Sequence, residues 1–273
     1  MFYRFTFPEG KQRALTFSYD DNQIFDRRLV DILNRNGLKG TFHINAGTLG
    51  ITNDHDFFID EEEVSTLYKG HEVSCHGFVH PFFSHTTNQQ IVMQLWEERK
   101  VLEKQAGYPV RGMSYPYGDF SQNIIDYAKA AGIEYSRTVE NTFNFNLPED
   151  FMRWHPTCHH NDALKLVDDF LAPIKFNRLQ LFYIWGHSFE FDRENTWDMM
   201  EDLCKKLGGH DSIWYATNIE IKDYICAAQT LRSSADGSIL YNPSAITIWI
   251  ATKDDRIIKI PAGECISIDT NNN

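Results

Sequence analysis

The chain has 273 residues, of which 42% are hydrophobic and 14% aromatic, and its net charge is −12. This length allows one large core, and an α/β barrel of this size commonly forms a single domain. The negative charge argues against a general affinity for nucleic acid or an anionic membrane surface. No apolar run approaches the roughly 18 residues that a membrane helix needs.

The first residues and the cysteines provide evidence on the cellular compartment of the protein. The start, MFYRFTFPEGKQ, lacks a charged segment followed by an apolar one, so no secretory leader is visible. The five cysteines are scattered without CxxC spacing, so we expect free thiols in a reducing compartment. The expected location is the cytoplasm, although a secreted form that had lost its leader would look the same.

Apolar runs and helical periodicities alternate along the chain. Strands are predicted at residues 14–18, 40–45, 72–75, 110–115, 133–137, 179–185 and 213–216, with a short extra strand at 151–153. Helices are predicted at residues 24–36, from residue 60, and at 87–106, 121–131, 162–171, 194–207 and 217–231. Capping boxes open three of these helices, at Asp60/Glu63, Thr87/Gln90 and Thr217/Glu220.

This alternation implies parallel strands joined by right-handed crossovers. About seven units favour a closed or nearly closed (β/α) barrel over an open sheet. In such barrels the chemistry takes place at the C-terminal ends of the strands. Four motifs fall at predicted strand ends: Asp20-Asp21, His76 with His80, Tyr115-Pro116-Tyr117, and His187.

From residue 233 the pattern changes to short strands separated by turn signals such as Asp236-Gly237 and Asn242-Pro243. We therefore predict two parts, a barrel over residues 1–231 and a β appendage packed on it over residues 232–273. The appendage carries no chemical motif. Packing is its simplest role, and a substrate-binding or dimer edge is the alternative.

The histidine pair is the central motif. His76 and His80 lie four residues apart at a predicted strand end, so their rings can converge on one divalent ion. Asp20-Asp21 supplies a third ligand of the right kind. Plainer alternatives exist: the histidines as a half-buried and a surface residue, the acids as helix caps, and His187 as a structural histidine.

A second group, Cys158-His159-His160, superficially resembles another metal site. Adjacent residues of a chain rarely point at one ion. The sequence therefore does not favour a site there.

The motifs resemble, in order and spacing, those of the polysaccharide deacetylases, the NodB-like carbohydrate esterases of family 4. The residues that carry the resemblance are Thr16-Phe17-Ser18-Tyr19-Asp20-Asp21, Gly70-His71-Glu72, His76-Gly77-Phe78-Val79-His80-Pro81, Tyr115-Pro116-Tyr117-Gly118 and His187. The resemblance spans about residues 14 to 225. It implies a distorted α/β barrel of the TIM type with seven strands, (β/α)7.

The resemblance also implies roles. Asp21, His76 and His80 match the ligands of a divalent ion, usually zinc, with cobalt, nickel or manganese as alternatives. Three protein ligands leave a position open, as in catalytic zinc sites. Asp20 matches the general base, and His187 matches the general acid. The backbone N–H of Tyr117 matches the donor to the oxyanion.

Three departures from the family pattern follow from the same alignment. Asn22 stands where glycine is common, and asparagine tolerates the left-handed turn expected there. Ser114 stands where an arginine usually tethers the base. Arg137 or Arg153 could replace that arginine, with Arg153 slightly favoured, and Arg111 should point away. The carboxylate that tunes His187 is not evident, and Asp162 is a guess.

The predicted function is metal-dependent removal of an acetyl group from an N-acetylated sugar or polysaccharide. The resemblance leaves open another small amide, including a cyclic ureide or imide, because relatives with this fold hydrolyse these as well. A third alternative, of a different class, is a catalytically dead carbohydrate-binding module. The expected partner is a carbohydrate or small N-acetylated substrate, with no nucleic acid and no membrane. The oligomeric state cannot be predicted.

Overall fold

The central feature of the computed structural model is a parallel β-sheet flanked by helices; the structure describes residues 3–53, 57–174 and 178–268. In chain order the strands are β1 (Tyr3–Thr6), β2 (Arg13–Asp20), β3 (Gly40–Ile44), β4 (Glu72–Cys75), β5 (Gly112–Ser114), β6 (Tyr135–Arg137), β7 (Cys158–His159), β8 (Gln180–His187), β9 (Ile213–Tyr215), β10 (Arg232–Ser233), β11 (Ile239–Tyr241), β12 (Ile248–Thr252), β13 (Ile257–Ile260) and β14 (Cys265–Ser267).

Helices follow most of the strands from β2 to β9. They are α1 (Asp26–Arg35), α2 (Val64–Leu67), α3 (Asn88–Ala106), α4 (Gln122–Ala130), α5 (His160–Leu171), α6 (Ser188–Arg193), α7 (Trp197–Leu207) and α8 (Asn218–Gln229). The three predicted capping boxes are present, at the starts of α3 and α8 and before α2. Each satisfies backbone N–H groups that a helix start leaves unpaired.

The strand order in the main sheet is β6-β5-β4-β3-β2-β8-β7, and β9 also pairs with β2. β8 runs along the whole of β2 on one side, whereas on the other side β9 pairs with its first half and β3 with its second. Within the described residues β6 and β7 do not pair, so the barrel stays open there. The predicted class, a distorted (β/α) barrel, is confirmed.

The registers bring the strand ends together. Asp20 lies opposite both His43 on β3 and His187 on β8. Ser114 on β5 lies opposite Arg137 on β6, and β4 ends beside β5 at Cys75, directly before His76. The predicted motifs therefore share one rim of the sheet, because the C-terminal ends of parallel strands meet at one edge.

Two element predictions were wrong. The predicted strand at 151–153 is a 3₁₀ turn, Phe151–Arg153, whose Met152 N–H is capped by the Asp150 side chain. The predicted helix at 194–207 begins only at Trp197 and is preceded by the separate helix α6, because Asn195 takes a left-handed backbone with φ of 53°. The strands β1 and β7 were not predicted, and β7 spans only two residues.

The tail forms two small antiparallel sheets, β1-β12-β13 and β10-β11-β14, over a separate apolar cluster that includes Leu240, Ile248 and Ile260. β1 belongs to the tail sheet although it precedes the barrel, since Tyr3–Thr6 pairs with residues of β12. The boundary between residues 231 and 232 stays a prediction. Residues 1–2 and 269–273 of the predicted parts lie outside the described residues.

Two further observations concern the whole described chain. All five cysteines are free, as expected, with Cys75, Cys158 and Cys204 buried. Among the described residues, none of the helices combines the length and the apolarity that crossing a membrane requires.

Candidate active site and metal centre

The two acids at the end of β2 are separated by a turn. Asp20 is the last strand residue and is 3% exposed, whereas Asp21 and Asn22 have φ of 76° and 38°. The Asn22 side chain holds this turn, because its Oδ1 accepts from the Asn45 N–H at 2.8 Å. Asparagine therefore supports the left-handed conformation predicted for the position, and the two carboxylates face different partners.

The histidine loop, which follows β4 and carries His76 and His80, is held in place by a buried acid. Glu98 on α3 accepts from the backbone N–H groups of His76 and Gly77, each at 3.0 Å. Asn45 donates to the carbonyls of the same two residues at 2.7 Å. Gly77 has φ of 76°, and a Cβ there would lie 2.8 Å from Pro81 Cδ. These contacts place both histidine rings over the rim.

Asp21, His76 and His80 form one cluster. One ligand atom from each lies within 4.8 Å of the others. Asp21 Oδ1 is 3.6 Å from His76 Nε2 and 3.7 Å from His80 Nε2. His76 is buried, while the side chains of Asp21 and His80 are partly exposed. Two imidazoles and a carboxylate with one side open suit a divalent ion of the zinc type.

The tautomer of His76 follows from its neighbours. Ser114 Oγ donates to Asp20 Oδ1 at 3.0 Å, so it accepts from His76 Nδ1 at 2.7 Å. The Ser114 carbonyl lies 3.1 Å from the same nitrogen. With its proton on Nδ1, His76 presents the lone pair of Nε2 to the cluster. Such partners behind a ligand fix its orientation and raise its basicity.

Arg137 is the cation beside Asp20. Its Nη2 donates to Asp20 Oδ2, and its side chain is fully buried. Burial alone would raise the pKa of Asp20, but Arg137 and the nearby imidazoles outweigh it and hold that pKa well below the usual range. Arg137 also lies over the Trp185 ring, 4.5 Å from the centroid.

The arginine prediction was right in part. Arg111 points away, to Asp223 and Glu134. The slight preference for Arg153 was wrong, because Arg153 donates to Asp150 and Gln122, each at 2.6 Å. The register of β5 with β6 explains the outcome, since it sets Arg137 directly beside Ser114.

His187 stands across the rim from the histidine pair. Its Nε2 lies 3.8 Å from Asp21 Oδ2, and its Nδ1 lies 3.3 Å from Glu190 Oε2. Burial would lower the pKa of His187, but the Glu190, Asp20 and Asp21 carboxylates raise it. The guess of Asp162 was wrong, because Asp162 pairs with Lys165 on the outside of α5. Glu190 is the carboxylate partner.

Tyr117 lies in the turn Pro116–Gly118 with φ of 58°. Its N–H donates to none of the described residues. Its ring, 54% exposed, stacks on Phe82 with centroids 3.7 Å apart and meets the His80 ring edge-on at 4.2 Å. The turn therefore offers a free N–H beside the cluster, together with an exposed aromatic ledge formed by Phe82 and Tyr117.

Three residues of the site were missed from the sequence: Glu98, Glu190 and His43. Glu190 follows His187 by three residues at the start of a helix, a spacing that could have revealed it. His43 lies opposite Asp20 and contacts Ser18 Oγ at 2.8 Å through its Nε2. Glu98 lies in the middle of a long helix and gives no local signal.

The chain was compared with known proteins. Residues 8–136 match the sequence profile of the family described as "Polysaccharide deacetylase". This stretch includes Asp20, Asp21 and both histidines of the pair. Over residues 8–136 the chain is therefore similar to the polysaccharide deacetylases.

Known proteins with similar sequences include polysaccharide deacetylases. A stretch of 118 residues is 30% identical to "Chitin deacetylase 1" of Cryptococcus neoformans var. grubii, covering 42% of this chain and 23% of that protein. A stretch of 131 residues is 27% identical to "Peptidoglycan-N-acetylglucosamine deacetylase PgdA" of Listeria monocytogenes, covering 48% and 27%. The chain thus matches about a quarter of the length of these polysaccharide deacetylases.

A solved structure supports the fold over a longer stretch. A Mycobacterium smegmatis protein described as a polysaccharide deacetylase superposes with a TM-score of 0.60 at 16% identity. The match covers 82% of this chain and 93% of that one. The fold shared with that structure therefore extends beyond the residues that the family profile matches.

Proposed function

We propose that this chain is a divalent-metal-dependent hydrolase that removes the acetyl group from an N-acetylated sugar or polysaccharide. One observation carries the proposal. Asp20, Asp21, His76, His80 and His187, from three strand ends, lie on one rim with their polar atoms 3.6 to 3.8 Å apart across the centre. The activities named for the Cryptococcus and Listeria relatives favour a carbohydrate over another small amide.

Asp21, His76 and His80 would hold the ion, and they fit one by donor type, mutual distance and the tautomer of His76. When bound, such an ion polarises an acetyl carbonyl and lowers the pKa of a water molecule. Zinc is the proposed ion, with cobalt, nickel or manganese as alternatives that a two-nitrogen, one-oxygen set also accepts.

Asp20 is proposed as the general base. Arg137 and the nearby imidazoles hold its pKa low against burial, so Asp20 is ionised and carries no proton in the neutral range. Ser114 and Arg137 each engage one carboxylate oxygen, which fixes the plane of the group. A carboxylate fixed in this way is already oriented toward an attacking water. Little conformational entropy of its side chain is then lost when the reaction occurs.

His187 is proposed as the general acid. Loss of the sugar amine requires a proton on the nitrogen as the C–N bond breaks. His187 has a raised pKa and faces the cluster through Nε2, while Glu190 lies behind Nδ1. The proton taken up by Asp20 and the proton given by His187 balance over the reaction, which yields acetate and the free amine.

Tyr117 is proposed to contribute in two ways. Its unpartnered N–H would donate to the oxygen that becomes negative during attack on the acetyl carbon. The ledge of Phe82 and Tyr117 offers an exposed aromatic face beside the cluster. Such a face can bury the apolar side of a sugar ring, and the rigid aromatic side chains lose little conformational entropy on binding. An open ledge fits a sugar within an oligomer.

The proposal is tested by acetate release from an N-acetylglucosamine oligomer. Metal-free protein should be inactive, added zinc should restore release, and Asp20→Asn should abolish most of it. The matched control is Asp31→Asn, which removes an exposed carboxylate on α1 that pairs with Arg35. Zinc-loaded protein that releases no acetate from N-acetylated oligomers would overturn the proposal.

A further inference from the structure

A second cluster of metal-ligating side chains lies behind His187. His159, His160 and Glu190 each place one ligand atom within 4.8 Å of the others. Glu190 Oε2 is 3.1 Å from His159 Nε2 and 3.5 Å from His160 Nε2. These separations are close to those between ligand atoms around a four-coordinate ion with bonds of about 2.0–2.1 Å.

The two adjacent histidines converge because they lie at a strand–helix junction. His159 ends β7 and caps α5 with an extended backbone, whereas His160 is the first residue of the helix. The change of backbone brings their ring centroids within 4.1 Å of each other. The sequence argument against convergence of neighbours therefore does not apply here. Cys158 stays outside the cluster.

The orientation of His160 is set by packing. Its ring stacks on Tyr19 and lies against Phe191, and its Nδ1 side abuts Gly186, where a Cβ would be 2.0 Å from Nδ1. The ring is 0% exposed. Its Nε2 is thereby directed at Glu190.

Buried ring nitrogens at this cluster make no hydrogen bond to the described residues, although Glu190 lies near them. Neither ring nitrogen of His160 makes a hydrogen bond within the described part of the chain, and neither does His187 Nδ1. One carboxylate oxygen cannot accept from three imidazoles and from the His187 N–H, which already donates to it at 3.1 Å. Buried polar atoms left without partners are costly and call for an explanation such as a bound ion.

We propose that His159, His160 and Glu190 form a second divalent-metal site, distinct from the cluster of Asp21, His76 and His80. Two imidazoles and one carboxylate suit zinc, cobalt or nickel. His159 and Glu190 are 18% and 15% exposed, so an ion can enter from that side and water can complete its coordination.

Occupancy of this site has a consequence for the first. Glu190 Oε2 lies 3.3 Å from His187 Nδ1, and an ion held by Glu190 would draw that carboxylate away from His187. This consequence rests on the proposed function, because it concerns the general acid. Excess zinc should then lower acetate release, and His159→Ala should reduce this inhibition.

The site is tested by counting ions. Metal-free protein is titrated with zinc against a chromophoric chelator, and cobalt absorption is recorded in His80→Ala, where only the second site can give a spectrum of a four-coordinate ion. Wild type should bind two ions, His80→Ala and His159→Ala one each, and the double variant none. His210→Ala, which alters a histidine outside both clusters, should still bind two.

Because His160 is buried, His159→Ala and Glu190→Gln serve as the principal variants, with circular dichroism as the check on folding. Wild type that binds a single ion at saturating zinc would overturn the second site, as would folded His159→Ala that retains two ions. These counts do not depend on acetate release, so an inactive protein would refute the proposed function and leave the second site to be decided separately.

Discussion

Replacing Arg137 with methionine should destabilise the protein strongly. The guanidinium and the Asp20 carboxylate are 0% and 3% exposed, so neither can be solvated when the other is lost. Removing one partner of such a buried pair typically costs about 3–5 kcal/mol. For a chain of this size each kcal/mol corresponds to about 2–4 °C, which gives a fall in Tm of roughly 6–20 °C.

The assay is urea and thermal unfolding at neutral pH with chelator present, so that no metal compensates the orphaned carboxylate. Arg111→Met is the matched control. Its side chain is 33% exposed and pairs with a partly exposed Asp223, so it should cost at most about 1 kcal/mol. The double variant Arg137→Met/Asp20→Asn should regain much of the loss, because the uncompensated charge is gone.

The loss of stability in Arg137→Met should depend on pH. In wild type the folded pKa of Asp20 lies below the unfolded value, so its pairing stabilises above that value and is lost as pH falls through the folded pKa. In Arg137→Met burial acts largely unopposed and raises the pKa of Asp20. Lowering the pH then protonates the Asp20 carboxyl in the variant. The difference in free energy of unfolding between the variant and wild type should therefore become smaller. A variant within about 1 kcal/mol of wild type at neutral pH would refute the reasoning.

Three further predictions follow. His80→Ala should lose most of its zinc affinity at the cluster of Asp21, His76 and His80, and a titration that keeps full occupancy of that cluster would contradict the ligand assignment. Asp20→Asn should keep its metal and lose about 10²–10⁴-fold in kcat. Asp21→Asn should instead lose metal first, and its activity should recover in excess zinc. Metal depletion of Asp20→Asn would mean that the two roles are exchanged or shared. Burial raises the pKa of Glu98 from 4.5 to about 8, so the folded state holds an extra proton between those values. Stability should therefore fall as pH rises through that window, and Glu98→Gln should flatten this dependence in urea unfolding at several pH values.

The rim could be predicted from the sequence because it depends on local patterns. Apolar runs end at Asp20 and shortly before His76, and parallel strands bring such ends together. The sequence also predicts the turn that follows Asp20, since Asn22 tolerates the left-handed backbone.

Contacts set by strand pairing or helix packing could not be predicted in the same way. Arg137 and Arg153 both remain candidates, with Arg153 slightly favoured, until the register of β5 with β6 is known. In the sequence, Glu98 resembles any other charged residue of an amphipathic helix. Its role in holding the histidine loop is visible only once the helix is packed against that loop. The convergence of His159 with His160 required the geometry of the strand–helix junction.

The pairing of β1 with β12 has a consequence for the order of folding. Tyr3–Thr6 is synthesised before the barrel, but its partner Ile248–Thr252 is synthesised only after the barrel. The first strand must therefore wait with an unpaired edge while the barrel forms beside it. A chain shortened before β12 would keep that edge open, and an open edge is a template for association with other chains. β12 thus protects one edge of β1.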